Sequence, residues 1–218
     1  MKLERYGISL RSIRAEDLET VRTWRNSDLV RPYMFYQKII SRQNQKQWFS
    51  KLNPLNNFYF IISHNDVQIG VCNIRDIDWK KGCCEGGIFV GEEKFLNSSV
   101  PIRAVLTACE YWFNFLTVDQ VSISILQGNG VAVKFNKMLG AKEVSNSDGL
   151  ISMTLTRDGF NQETSVRRKQ FDARYHQGNS ELRITSESVA DQSTLENCKR
   201  EMDKNNNLNV IIDSVIEL

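Results

Sequence analysis

Apolar and polar residues alternate along Ile8-Ser9-Leu10-Arg11-Ser12-Ile13-Arg14, the period of a half-buried strand. The period then changes. Over residues 15–26, Leu18, Val21, Trp24 and Arg25 share one face of a helix, and Glu16 and Asp17 lie in its first turn, where the helix dipole favours acids. Ser41 predicts the cap of a second helix that carries Trp48, Phe49 and Leu52 inward and stops near Asn53-Pro54. Residues 58–63 and 67–74, split by His64-Asn65-Asp66, predict a β-hairpin. After a polar stretch, residues 85–90 predict a strand in which Gly86 and Gly87 admit a bulge or a close backbone. Pro101 opens an apolar helix running to Leu116, since a first-turn proline gives up no hydrogen bond. Residues 121–126 predict a strand, 129–139 a helix closed by Gly140, and 150–156 a last alternating strand, with a short one at 141–144 before it.

The predicted order is β-α-α-β-β-β-α-β-α-β, which is an α/β fold with parallel and antiparallel neighbours in one mixed sheet. The domain expected from it spans residues 1–157. Residues 158–218 form a polar C-terminal extension, apolar again only at 210–216, and predict either a helical appendage or a tail whose apolar end docks.

Composition narrows the function classes. The 218 residues suit one α/β core plus an appendage, so a single active site is expected. A net charge of +2, with both signs spread along the chain, provides no electrostatic footprint for nucleic acid or a membrane surface. No stretch approaches the roughly 18 apolar residues of a membrane span, and residues 1–6 lack the apolar run of a signal peptide, so a cytoplasmic location is expected. Five cysteines, with Cys83 and Cys84 adjacent, argue for reduced thiols rather than a disulfide framework. The histidines, His64 and His176, have no ligand-rich company in sequence, so no metal site is expected.

Three local signatures in this order resemble the GNAT superfamily of N-acetyltransferases over roughly residues 6–157. They are Ile8-x-Leu10-Arg11 followed by Glu16-Asp17-Leu18 and Trp24-Arg25-Asn26, then Gly70 followed by Glu85-Gly86-Gly87-Ile88-Phe89, then Asn129-x-x-Ala132 leading to Leu139-Gly140-Ala141. The first of them resembles the branch holding ribosomal-protein N-terminal acetyltransferases and nucleotide-sugar amine acetyltransferases. The resemblance implies a mixed central sheet with splayed parallel strands and flanking helices, acetyl-CoA as co-substrate, and a small-molecule amine as acceptor. A homodimer is left open by it. The splayed pair would be residues 85–90 and 121–126, with Ile88, Phe89 and Val90 gripping the pantetheine arm through their backbone. Asn97, Ser98, Ser99 and Val100, before the helix at Pro101, would take the pyrophosphate on N–H groups, although this loop lacks the glycines of the family pattern. Asn136 stands where many relatives carry the tyrosine that protonates the leaving thiolate.

For individual residues two readings stay open. Glu85 is either the base that deprotonates the acceptor ammonium or a strand-end carboxylate paired with Lys or Arg. Asn129 either bonds pantetheine or caps its helix. Arg25 and Asn26 are candidates for holding the acceptor, Arg25 through a fork that suits carboxylate or phosphate, or else through a structural ion pair. Met34 and Phe35, in the loop that follows, either stack on an acceptor ring or cover the sheet. The expected function is acetyl transfer to the amine of a nucleotide-linked amino sugar. Peptide N-termini are the alternative acceptor, and a degenerate fold used for binding is the alternative class.

Overall fold

The computed structural model describes residues 1–116, 118–175, 182–202 and 210–214. Its centre is a ten-stranded mixed sheet. The chain begins with β1 (Lys2–Arg5), turns through Tyr6 and Gly7, both at positive φ, and returns as β2 (Ile8–Ser12). Sequence alternation predicted the second of these strands and missed the first, where Leu3 is the single core residue between charged neighbours. Helix α1 (Leu18–Asn26) and helix α2 (Arg42–Ser50) follow, the latter capped by Ser41, whose hydroxyl accepts the Asn44 N–H at 3.1 Å.

Strands β3 (Phe58–His64) and β4 (Val67–Asp78) form the expected hairpin, turning at Asn65 and Asp66 with positive φ. Next is β5 (Cys83–Val90), whose approach to β4 explains Gly70: a Cβ there would lie 2.2 Å from the Phe89 carbonyl oxygen. Helix α3 (Val100–Glu110) widens into a π turn over Tyr111–Phe115, where Leu116 N–H reaches back to Tyr111 at 2.9 Å. Strand β6 (Gln120–Leu126), helix α4 (Gly130–Lys137), β7 (Lys142–Ser147) and β8 (Leu150–Thr156) complete the expected order.

Beyond residue 157 the chain turns back onto the sheet. Helix α5 (Arg157–Tyr175) leads to β9 (Leu182–Ser186), which pairs antiparallel with β1; helix α6 (Val189–Met202) leads to β10 (Val210–Ser214), parallel to β9. The strand order is β10-β9-β1-β2-β3-β4-β5-β6-β8-β7. His176 lies outside the described residues.

Almost every residue of α3 is buried, including Arg103 and Glu110. Both have partners, of different kinds. Arg103 donates to the Tyr6 carbonyl at 2.7 Å and lies 4.5 Å over the Tyr175 ring. Glu110 accepts the Tyr6 hydroxyl at 2.5 Å and pairs with Arg5 and Arg168, and Arg5 in turn holds Asp172 at 3.2 Å. These contacts latch α5 across α3 to the first hairpin. Burial still pushes the Glu110 carboxyl upward, against the pull of Arg5. No helix among the described residues is long and apolar enough to cross a membrane.

Candidate active site

Strand β6 is fastened differently on its two sides. Toward β8 it pairs along its whole length, Gln120 through Leu126. Toward β5 it pairs at Cys83↔Gln120, Cys84↔Val121 and Glu85↔Ser122 and then parts, although both strands continue, to Val90 and Leu126. The far edge of β5 is occupied by β4 up to Gly70↔Val90. The gap therefore exposes backbone donors and acceptors of Gly86 to Val90 and of Ile123 to Leu126 to whatever lies between them, the requirement for an extended ligand that pairs as a strand.

The two faces of this gap differ in chemistry. A Cβ on Gly86 would point at Val121 Cγ1 and Trp112, so that side of β5 belongs to the core under α3. Alternation then turns Glu85, Gly87 and Phe89 to the side of α1 and α2. There Phe89 packs with Val21, Trp24, Ile61 and Val71 in an apolar row. Moving along the strands from the open stretch back toward its closed end, the next cross-strand row is Tyr59, Asn73 and Gly87, and the next is Arg75, Glu85, Ser122 and Thr154. The apolar cover thus flanks the open stretch and ends before the vertex where the two strands meet, and polar side chains line the floor at that vertex.

Glu85 sits at the last closed pair before the gap, half-buried, and accepts from Arg75 Nη2 at 2.5 Å. Arg75 Nη1 holds Asp76 at 2.8 Å. Tyr59 stacks edge-on against Trp48 with centroids 5.0 Å apart, and burial raises its pKa. Tyr59 lies one cross-strand row from Arg75 and Glu85 on the same face of the sheet.

The other residues singled out from sequence fall in three places. Ile88, Phe89 and Val90 lie on the unpaired stretch of β5. At its end the chain passes into a short turn and reaches α3. Ser98 donates to the Phe95 carbonyl at 2.7 Å and accepts the Val100 N–H at 3.1 Å, so one orphan donor of the helix is already used, and Pro101 has none to offer. Among the described residues, the N–H groups of Asn97, Ser99 and Ile102 carry no hydrogen bond in these turns and caps, which leaves them for an anion. The open seam and these free donors fit a thioester arm followed by phosphates, so the glycine-free loop is compatible with the group that the resemblance implies.

Asn129 caps α4 by accepting the Ala132 N–H at 3.1 Å, and Asn136 turns its amide onto the Ala132 carbonyl at 2.9 Å. On the α1 side, Asn26 spends both ends of its amide on Ile40, donating at 2.9 Å and accepting at 2.8 Å, and so fastens the loop that carries Met34 and Phe35. Met34 is half-buried, whereas Phe35, with Tyr33, Tyr36 and Ile39, is exposed. Trp24 is buried, as its helical position predicted, and donates its indole N–H to Glu92 at 3.0 Å. Sequence reasoning did not select Tyr59, Asn73 or Arg75. Each sits in an ordinary strand pattern, and only the register beside Glu85 makes it part of the site.

Comparison with known proteins gives a family and a fold. Residues 8–142 match the family model described as acetyltransferase (GNAT) domain. No curated protein matches the chain. Among solved structures, a nucleotide-linked sugar GNAT, FdhC, shares 21% identity over 78% of this chain and 98% of its own, with a TM-score of 0.66. Spermidine N-acetyltransferase from Vibrio cholerae, solved with CoA and spermine, shares 15% over 72% of this chain and 99% of its own, with a TM-score of 0.65. The N-acetyltransferase PseH of Campylobacter jejuni shares 18% over 69% and 99%, with a TM-score of 0.55.

Proposed function

The chain belongs to the acetyltransferase (GNAT) domain family and is an acetyl-CoA-dependent enzyme, and from that premise we propose that it acetylates the primary amine of a nucleotide-linked amino sugar. The observation that carries the reading is the open seam between β5 and β6, which ends at Glu85. Acetyl-CoA supplies the acyl group as an activated thioester. The chain's contribution is to grip the arm along residues 86–90 and 123–126, and the phosphates at Asn97, Ser99 and Ile102. Fixing both reactants in line is worth about 7–11 kcal/mol of the barrier.

Glu85 is the proposed base. It stands on the acceptor face, oriented by Arg75, and accepts a proton from the substrate ammonium directly or through one water. The freed lone pair forms the new nitrogen–carbon bond as the carbon–sulfur bond breaks, and the nitrogen, briefly cationic, releases its second proton to solvent to leave the neutral amide. Asn136, committed to its own helix, supplies no proton to the departing sulfur, which draws one from solvent. Support for the sugar acceptor comes from the exposed aromatic loop with Tyr33, Phe35 and Tyr36, suited to stacking on a base or ring, and from the likeness to FdhC.

Calorimetry with acetyl-CoA, followed by a free-thiol assay across nucleotide-linked amino sugars and short peptides, tests the proposal. Micromolar acetyl-CoA binding and thiol release with an amino sugar are expected. Turnover confined to peptides would transfer the activity to protein N-termini. A folded chain without detectable acetyl-CoA binding would make it a binding protein instead.

A further inference from the structure

The charges on the acceptor face do not balance, and the imbalance carries information about the substrate. The two acids at the closed end of the gap are spent on one cation: Arg75 holds Asp76 at 2.8 Å and Glu85 at 2.5 Å. Arg25, in the last turn of α1, is a second cation with no such partner. It is half-buried, its Nη1 is fully enclosed and has no hydrogen-bond partner, and no carboxylate among the described residues pairs with it. Tyr59, one row from Glu85 across the sheet, packs against the cluster that holds Val21 and Trp24 of the same helix. Tyr59 packs edge-on against Trp48, with ring centroids 5.0 Å apart, and its phenol O–H is a hydrogen-bond donor.

A buried guanidinium without an anion is costly, because it has lost water and gained no counter-charge. Burial accordingly depresses the Arg25 pKa, the direction expected of a cation awaiting a partner. The planar fork of Arg25 and the hydroxyl of Tyr59 are the donor set that an oxyanion requires. We infer that Arg25 and Tyr59 form an oxyanion subsite of the acceptor pocket, so that the amine substrate carries a phosphate or carboxylate and polycationic amines are rejected. This rests on the acetyltransfer reading above and narrows it. Beyond the one ammonium that Glu85 deprotonates, a polyamine would bring further positive charge toward a floor whose acids already face Arg75 and whose unmatched group is a cation.

Two measurements test the inference without depending on each other. The first is equilibrium binding of uridine diphosphate and of succinate in saturating CoA, which fills the phosphate site at the start of α3. Wild type is expected to bind at least one of these anions, and R25Q to weaken that binding at least tenfold, with R25K intermediate because it keeps the charge and loses the fork. Y59F is expected to weaken it by a smaller factor. The stronger probe tells phosphate from carboxylate. The second is thiol release with a nucleoside-diphosphate-linked amino sugar and with spermidine. R25Q should raise KM for the sugar about 10- to 100-fold with kcat changed less than threefold, while spermidine is turned over poorly by wild type. Anion binding unchanged in a folded R25Q, or spermidine preferred by wild type, would overturn the inference. Loss of acetyl-CoA binding itself would instead defeat the transferase reading, and calorimetry reports that separately.

Discussion

The two neighbours of β6 show how one strand serves both stability and chemistry. Its edge toward β8 is closed from Gln120 to Leu126, and every backbone group there has a protein partner. Its edge toward β5 is closed only as far as Ser122. The closed edge anchors the strand in register, and the open edge presents polar backbone that the fold itself leaves without a partner. An opening of this kind survives because β4 and β8 hold its two lips from outside. The lesson is that a binding slot can be built by leaving out hydrogen bonds, provided the outer ones remain.

The sharpest way to break this comparison is chemical. Glu85 occupies the last closed pair, so E85Q keeps the shape and removes the base; kcat is expected to fall about 10²- to 10⁴-fold with the thermal midpoint nearly unchanged. Unaltered kcat at neutral pH would reduce Glu85 to the ion-pair partner of Arg75. Amide exchange reads the seam itself. Alternate amides over residues 123–126, those facing β5, should exchange about 100-fold faster than the intervening ones that face β8, and acetyl-CoA should slow them. Equal protection of both sets would mean that the gap is shut. The smallest effect concerns a closed seam. G70A would place a Cβ 2.2 Å from the Phe89 oxygen and push β4 from β5, costing about 1–3 kcal/mol in denaturant unfolding. A neutral result would show that the lip at β5 is not held as tightly as its register implies.

The elements from β2 to β8 were legible in the sequence because each has its own period and its own punctuation. Ser41 and Asn129 cap the helices they were expected to open, and Asn65-Asp66 turns the hairpin. Strand β1 was not legible: Leu3 alone marks its buried face, and its pairing with β2 and β9 is a long-range fact. The same holds for β9, which lies in a stretch whose polar composition points away from a sheet.

Among the site residues, Glu85 and Arg25 could be named from residue type and position, since a carboxylate at a strand start and an arginine on an apolar helical face are visible locally. Their partners could not. Arg75 meets Glu85 through register across β4 and β5, and register across β3 sets Tyr59 in the adjoining row. Local periodicity by itself determined which segments become helix or strand, because backbone preference and one buried face act over a few residues. Where the sheet opens, which face of it is polar and which arginine is left without an anion were decided only by tertiary structure. Those depend on hydrogen bonds and charges between segments tens of residues apart, whose energies exist only once the chain has brought them together.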